Sequence, residues 1–350
     1  MTKGKSRNKI RIDPREIEDF DDDPQADYED PKTRGPKTLS RKGEAEGETV
    51  SGMVVGIWAK GCQVVVNGEL LDSVFSPAIK LDDENDLAVG DRVNVRHETG
   101  RNVVTSIDER STLLSRPDPL HKHRERVIAA NIDLVVHVAS VIEPPLRAGL
   151  VDRFLIAIQR GGAAPLVVVN KIDLAPDELR EDLLSPLDPC RQIGIPILLV
   201  STKSREGLEE LRQRLLGRTS VFAGHSGVGK SSIIRALKPE ATIRVGGVSA
   251  KRGTGRHTTT RVTLYELGSD TRVIDTPGIR EFGLWQVDPG ELRFYFPEFG
   301  ALAVKCRFND CLHIEEPDCA IKPEVESEAI SPERYASYVK IVEELRGEAE

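Results

Sequence analysis

Gly224-His225-Ser226-Gly227-Val228-Gly229-Lys230-Ser231 is the stretch whose reading decides the fold. Its form is G-x-x-x-x-G-K-S, in which glycines let a backbone wrap closely around a phosphate chain. Lys230 offers charge to the β and γ oxygens, and the hydroxyl of Ser231 is a ligand for Mg²⁺. The apolar run Ser220 to Ala223 precedes the loop, and an amphipathic stretch follows it. The context is thus strand, loop, helix, and the positive end of the helix adds to phosphate affinity. His225, Ser226, Gly227, Val228 and Ser232 complete the set expected at the nucleotide.

A second motif comes 54 residues earlier. Asn170-Lys171-Ile172-Asp173 closes the apolar run Leu166 to Val169. The Asp173 carboxylate can accept from guanine N1–H and the exocyclic amine, a donor pair that adenine lacks at that edge. Ser201-Thr202-Lys203 ends the strand-like run Ile197 to Val200, where a backbone N–H can reach guanine O6. After the loop comes Asp275-Thr276-Pro277-Gly278. Asp275 is suited to hold Mg²⁺ through water, and the Gly278 N–H to meet a γ-phosphate. Between them lies Gly253-Thr254-Gly255-Arg256-His257-Thr258-Thr259-Thr260. From it Thr259, with Thr258 next, is expected to complete the Mg²⁺ shell. Ile279 follows Gly278, where a Ras-like enzyme carries a water-orienting glutamine, so slow hydrolysis by the protein alone is expected. These are the parts of a GTPase in rotated order.

Around them the organisation changes twice. Lys3, Lys5, Arg7, Lys9 and Arg11 open the chain, and residues 13–30 then carry ten acids against Arg15. Residues 1–47 have little to bury and are expected to be disordered. From 48 to 111, short runs (Val50 to Ala59, Cys62 to Val66, Arg92 to Arg96, Asn102 to Ile107) alternate with turn signals at Asn67-Gly68 and Gly90-Asp91. This predicts a small barrel, of OB or SH3-like type. Residues 112–289 alternate strands and helices, with the motifs at strand ends, as in open α/β sheets. In that part Val151, Phe154, Leu155 and Ile158 stripe one helix, and Leu208, Leu211 and Leu215 another.

Residues 290–350 hold Cys306, Cys311, His313 and Cys319, spaced C-x4-C-x-H-x5-C. Three thiolates and an imidazole make a full tetrahedral set with no open position, so one structural zinc is expected. Ser331-Pro332 then starts a predicted helix. Cys62 and Cys190 read as core residues.

Apolar residues make up 39%, enough for real cores, and no run of about 18 could span a bilayer. Few cysteines and no apolar leader point to the cytoplasm. The net charge of −8 hides a local division. Residues 62–91 carry seven acids against Lys80, a poor surface for phosphates. Positive charge gathers at Arg92, Arg96, Arg101, Arg110, Arg116, Lys122, Arg124 and Arg126, and again at Arg244, Lys251, Arg252, Arg256 and Arg261. RNA contacts are expected there.

The order NKID, STK, GHSGVGKS, GRHTTT, DTPG, with a barrel before it and the Cys/His cluster after it, resembles the RsgA/YjeQ family of circularly permuted GTPases. Ala130-Asn131-Ile132-Asp133, Arg280-Glu281-Phe282-Gly283-Leu284-Trp285 and Phe296-Pro297-Glu298-Phe299 strengthen the likeness. It implies an N-terminal OB-fold, a permuted α/β P-loop GTPase domain and a mainly helical C-terminal zinc domain. It also implies a late assembly factor of the small (30S) ribosomal subunit that touches 16S rRNA as a monomer. Hydrolysis is then stimulated by the subunit, and the histidine of the GRHTTT loop, His257, takes part in catalysis with Lys230 and Thr259. A metabolic P-loop kinase, or an RNA-binding protein merely stabilised by nucleotide, are the competing readings. Neither needs both a guanine motif and a Cys/His module.

Overall fold

The structure is a computed structural model that describes residues 49–347, except 59, 80–86, 99, 119–120, 122, 238–243, 246–261, 269 and 277–282. Arg244 and Val245 are described as backbone only. The charged tail at 1–47 lies outside the described residues.

The first five strands are β1 (Thr49–Trp58), β2 (Gly61–Val66), β3 (Glu69–Phe75), β4 (Arg92–Glu98) and β5 (Arg101–Ile107). They close into a barrel in the order β1-β2-β3-β5-β4, with β3 and β5 parallel and every other pair antiparallel. This is the OB arrangement, not the SH3-like one. Alternate residues fill the interior: Val54, Cys62, Val64, Val66, Val93, Val95 and Val104 form its core. Asn67 (φ 52°) and Gly68 (φ 85°) make the two-residue hairpin turn that their sequence announces. β3 escapes sequence reading because its two faces are mixed, with Leu71, Ser73 and Phe75 inward and Leu70, Asp72 and Val74 outward. Ser73 points into the barrel at 1% exposure while Leu70 stands outside at 42%.

A hairpin that the sequence did not announce, β6 (Leu113–Pro117) with β7 (Glu125–Ala130), joins the barrel to the next layer. The segment Ala130 to Asp133 is its weld. Asn131, left-handed at φ 52°, accepts from Ser111 N at 3.0 Å and donates to Gly90 O at 3.0 Å. Asp133 Oδ2 accepts from Thr219 N at 2.8 Å, and Asp133 N donates to Thr219 O at 2.8 Å.

The central sheet and its helices run β8 (Leu134–Ser140), α1 (Ala148–Arg160), β9 (Ala164–Asn170), α2 (Arg180–Leu184), α3 (Asp188–Gln192), β10 (Ile197–Leu199), α4 (Leu208–Leu215), β11 (Thr219–Ala223), α5 (Lys230–Leu237), β12 (Arg244–Val245), β13 (Thr263–Gly268) and β14 (Thr271–Asp275). Strand order is β10-β9-β8-β11-β14-β13-β12, parallel from β10 to β14. Every residue of β8 and β11 is buried, as sheets covered on both faces require. β11, which leads into the phosphate loop, lies between β8 of the earlier half and β14 of the later one. The rotated chain order is thereby restored in space.

The C-terminal part holds α6 (Gly300–Ala303), α7 (Lys322–Glu326) and α8 (Pro332–Gly347). Ser331 Oγ accepts from Arg334 N at 3.3 Å, capping α8 as its sequence predicts. Tyr338 meets Phe296 edge-on at 5.1 Å and Phe299 at 4.8 Å. Tyr338, Ile341 and Val342 share one core with Phe154 and Ile158 of α1. The C-terminal module therefore packs on the central domain through α1, besides following the DTPG segment in the chain. Among the described residues no helix is long and apolar enough to cross a membrane.

Removing the Asp133 carboxylate leaves the Thr219 N–H, at the start of a buried strand, without its acceptor. Asp133→Ala should lower stability by about 1–2 kcal/mol in urea unfolding, with the m-value unchanged. No change in midpoint would mean the weld carries no weight.

Candidate nucleotide site and Cys/His centre

The loop between β11 and α5 turns on Gly224 (φ 147°), Gly227 (φ 87°) and Gly229 (φ 94°). At Gly229 a Cβ would lie 2.2 Å from Asn170 Nδ2, so no side chain fits. Asn170 is 1% exposed, and its Nδ2 donates to Val228 O at 2.8 Å. The end of β9 is thus tied to the loop despite a separation of 58 positions in the chain.

Lys230 stands in the first turn of α5 and donates to Gly224 O at 2.7 Å and His225 O at 3.0 Å. Burial pulls its pKa below the ordinary lysine value, opposed by the charge of Asp275. Ser231 Oγ donates to Asp275 Oδ2 at 3.1 Å, which joins the loop to the end of β14. Ser226, Gly227 and Ser231 are exposed, while Val228 is buried and packs under the loop.

On the guanine side, Lys171 is left-handed (φ 62°) and its Nζ donates to Glu143 O. Ile172 is fully buried and its N–H donates to Val200 O at 3.2 Å. Ser201, also fully buried, donates to Asp173 Oδ1 at 2.7 Å. The same hydroxyl accepts from Lys203 N at 3.1 Å and Ser204 N at 3.0 Å. Asp173 is thereby held at one oxygen by the segment Ser201-Thr202-Lys203, with a second oxygen to offer. Chemically, the arrangement presents a glycine-rich nest, a lysine, a hydroxyl–carboxylate pair and an anchored carboxylate along one edge of the sheet. His257, Thr258, Thr259, Gly278 and Ile279 lie outside the described residues.

The sequence missed His137, a lone histidine in an apolar strand, which carries no spacing signal. It is 2% exposed on β8, 4.2 Å from the Phe154 ring, and its Nδ1 has no partner among the described residues. A small pocket open to solvent borders it, lined also by Ser140, Pro144, Leu150, His225 and Val228. Burial, aided by the Lys230 charge, lowers its pKa to about 3.

The other cluster is compact. The ligand atoms of Cys306, Cys311, His313 and Cys319 lie within 4.8 Å of one another. His313 Nδ1 is 3.5 Å from the sulfurs of both Cys306 and Cys319. A tetrahedral ion with bonds of about 2.3 Å to sulfur and 2.0 Å to nitrogen sets such pairs about 3.5 Å apart. The residues fit a metal. Burial, with Arg293 nearby, lowers the His313 pKa to about 4, which keeps the imidazole in its ligating neutral form. Tyr335 and Tyr338 of α8 hold the loop by donating to His313 O at 2.6 Å and Leu312 O at 3.0 Å.

The sequence model of the RsgA GTPase family matches residues 107–285, the segment that carries every nucleotide motif. The chain belongs to the RsgA GTPase family. It is a GTPase, and GTPases use Mg²⁺. A relative from Haemophilus influenzae, named small ribosomal subunit biogenesis GTPase RsgA, is 40% identical over 264 residues, 74% of this chain and 75% of its own length. One of the same name from Chlorobaculum parvum is 39% identical over 311 residues, covering 85% and 99%. The crystal structure of YjeQ from Thermotoga maritima matches with a TM-score of 0.69 at 31% identity, over 86% of this chain and 99% of that one. YloQ, described as a circularly permuted GTPase, matches at 0.65 and 27%, over 88% and 98%. The kinase reading is set aside by this membership.

His137 generates a pH prediction. The folded state refuses the proton that the unfolded chain takes up near pH 6.5. Stability is therefore complete above about pH 6.5 and falls as pH drops below it. Between pH 7.5 and 5.5 the parent should lose about 1.4 kcal/mol more than His137→Leu in urea unfolding. Equal losses would show that His137 is not held neutral.

Proposed function

We propose that this GTPase assists late maturation of the small ribosomal subunit, as a cytoplasmic monomer that binds 16S rRNA and hydrolyses GTP slowly until the subunit stimulates it. The observation that carries the reading is the Asn170–Val228 hydrogen bond. It brings a guanine motif and a phosphate loop, separated in sequence, to one edge of the sheet in a chain whose relatives are named for small-subunit biogenesis.

In this reading Asp173 accepts from guanine N1–H and N2–H, with Asn170, Lys171, Ile172, Ser201, Thr202 and Lys203 shaping the base pocket. Backbone N–H groups of residues 224–229 cradle the phosphates. Lys230 leaves its loop carbonyls for the β and γ oxygens. Ser231, Asp275 and Thr259 attend Mg²⁺, and Ser232 and Gly278 border the phosphates. His257 takes part in hydrolysis when RNA orders its loop. Zinc is the ion that best suits three thiolates and an imidazole in a closed set, and its role is structural. The barrel at 48–111, the GTPase domain at 112–289 and the zinc module at 290–350 are the working parts.

The basic groups sort differently from their sequence grouping. Arg110 forks onto Asp91, which is fully buried, at 2.7 and 2.8 Å. That pair is structural, so Arg110 leaves the set of RNA contacts and Asp91 leaves the acidic surface. Arg96 pairs with Glu98. Arg92 is exposed on β4, whereas Arg101 on β5 stands among acids, opposite Glu98 on β4 and one step before the Ser73–Asn102 pair that brings Asp72 of β3 beside it. RNA is assigned to the Arg92 end of β4.

GTP turnover measured with and without purified small subunits tests the proposal. Alone, the rate should not much exceed the Ras-like range of roughly 10⁻⁴ to 10⁻³ s⁻¹. Subunits should raise it at least about tenfold, and His257→Ala should remove most of that gain. No stimulation would overturn the ribosomal assignment. For the base, Asp173→Asn should weaken GTP binding by at least about 3 kcal/mol. For the metal, the purified protein should carry one zinc per chain, and Cys311→Ser should lose it while nucleotide binding survives.

A further inference from the structure

Helix α1 has two buried faces. Val151 and Leu155 pack with Val169 and Ile172, which flank and belong to the guanine motif. Phe154 and Ile158 pack with Tyr338, Ile341 and Val342 of α8 in the C-terminal module. Between the two faces stands Asp152, 3% exposed, and Arg334 reaches it from α8 at 2.5 Å. Arg334 is itself 4% exposed and also holds Glu298, while its guanidinium lies 4.7 Å over the Phe296 ring. A guanidinium shared between two carboxylates and an aromatic face allows one orientation only, since its donors form a rigid fork. Apolar replacement of such buried clusters often costs little stability. What they set is register.

We infer that Arg334 is a positioning residue for guanine recognition. Through Asp152 it fixes the rotation and height of α1. Through Val151 and Leu155, α1 fixes the strand end that presents Asn170, Ile172 and Asp173. The C-terminal module thus sets how the base is read, although it lies outside the GTPase motifs. The inference rests on the guanine reading of Asp173.

The test uses inosine diphosphate, which keeps N1–H but lacks the exocyclic amine. The full chain is titrated with GDP and IDP by displacement of a fluorescent nucleotide, and the ratio of the two dissociation constants is read. A merely structural role would lower the competent fraction for both nucleotides alike and leave the ratio unchanged. Arg334→Met should cut the preference for GDP about tenfold, and Arg334→Lys, which keeps the charge but not the fork, should fall between. Should Arg334→Met fail to fold, Asp152→Asn and Glu298→Gln carry the same test at constant shape. Asp173→Asn runs alongside. A ratio lost in Asp173→Asn but intact in the Arg334, Asp152 and Glu298 variants overturns this inference alone. A ratio intact in Asp173→Asn overturns the guanine reading, and this inference falls with it.

Discussion

One buried hydrogen bond, from Asn170 Nδ2 to Val228 O, ties the two halves of the nucleotide site together. It demands that residue 229 have no side chain, because a Cβ there would meet the same amide nitrogen at 2.2 Å. It demands that β9 and β11 flank β8 in parallel, so that both motifs emerge at the same sheet edge. It also explains why a rotated chain order is tolerable. The contact is made through space, and the covalent route between its partners is irrelevant once the strands are in place.

The rotation nonetheless has consequences. In this order β11 enters the sheet after its neighbour β8, and Asp133 meets Thr219 with a backbone bond and a side-chain bond where the halves join. The segment that ends at Asp275 leads into the C-terminal module. That module does not hang from the sheet by the chain alone. It returns through α8 to α1, so it touches the guanine half in space and the phosphate half in sequence. Two connections then join the Cys/His centre to the guanine and phosphate-loop motifs, one covalent and one through packed side chains.

Charges of both signs interleave on the barrel. Glu69 and Asp72 stand exposed on β3, Arg101 of β5 lies beside Asp72 and opposite Glu98, and Arg92 is exposed on β4. A net charge of −8 therefore says little about where a polyanion would approach. Buried charge behaves otherwise. Asp91 with Arg110, and Asp152 with Arg334, are buried pairs in which close bonds oppose the cost of desolvation, though burial still raises the Asp152 pKa above the usual carboxylate value. Counting such residues as surface charge, as a sequence must, overstates both the acidic and the basic patches.

Short motifs whose chemistry needs fixed neighbours were legible in the sequence. The phosphate loop, the guanine motif, the capped α8 and the Cys/His set depend on local spacing, and local spacing is what a sequence displays. The family followed from their order. What only the tertiary structure decided lies in contacts between distant segments. β3 was hidden because its inward face mixes Ser73 with Leu71 and Phe75 while Leu70 and Val74 stand outside, so its alternation carries no polarity signal. The β6–β7 hairpin was hidden because its role is to meet the barrel and the sheet. His137 reads as one more strand residue until Phe154 and Lys230 surround it. Arg110 reads as surface charge, and Arg334 carries no signal at all, until their carboxylates, 19 and 182 residues away, close on them. The physical reason is the same throughout. Periodicity reports which side of an element is apolar, but the partner that covers that side is chosen by three-dimensional closure, and no local pattern records it.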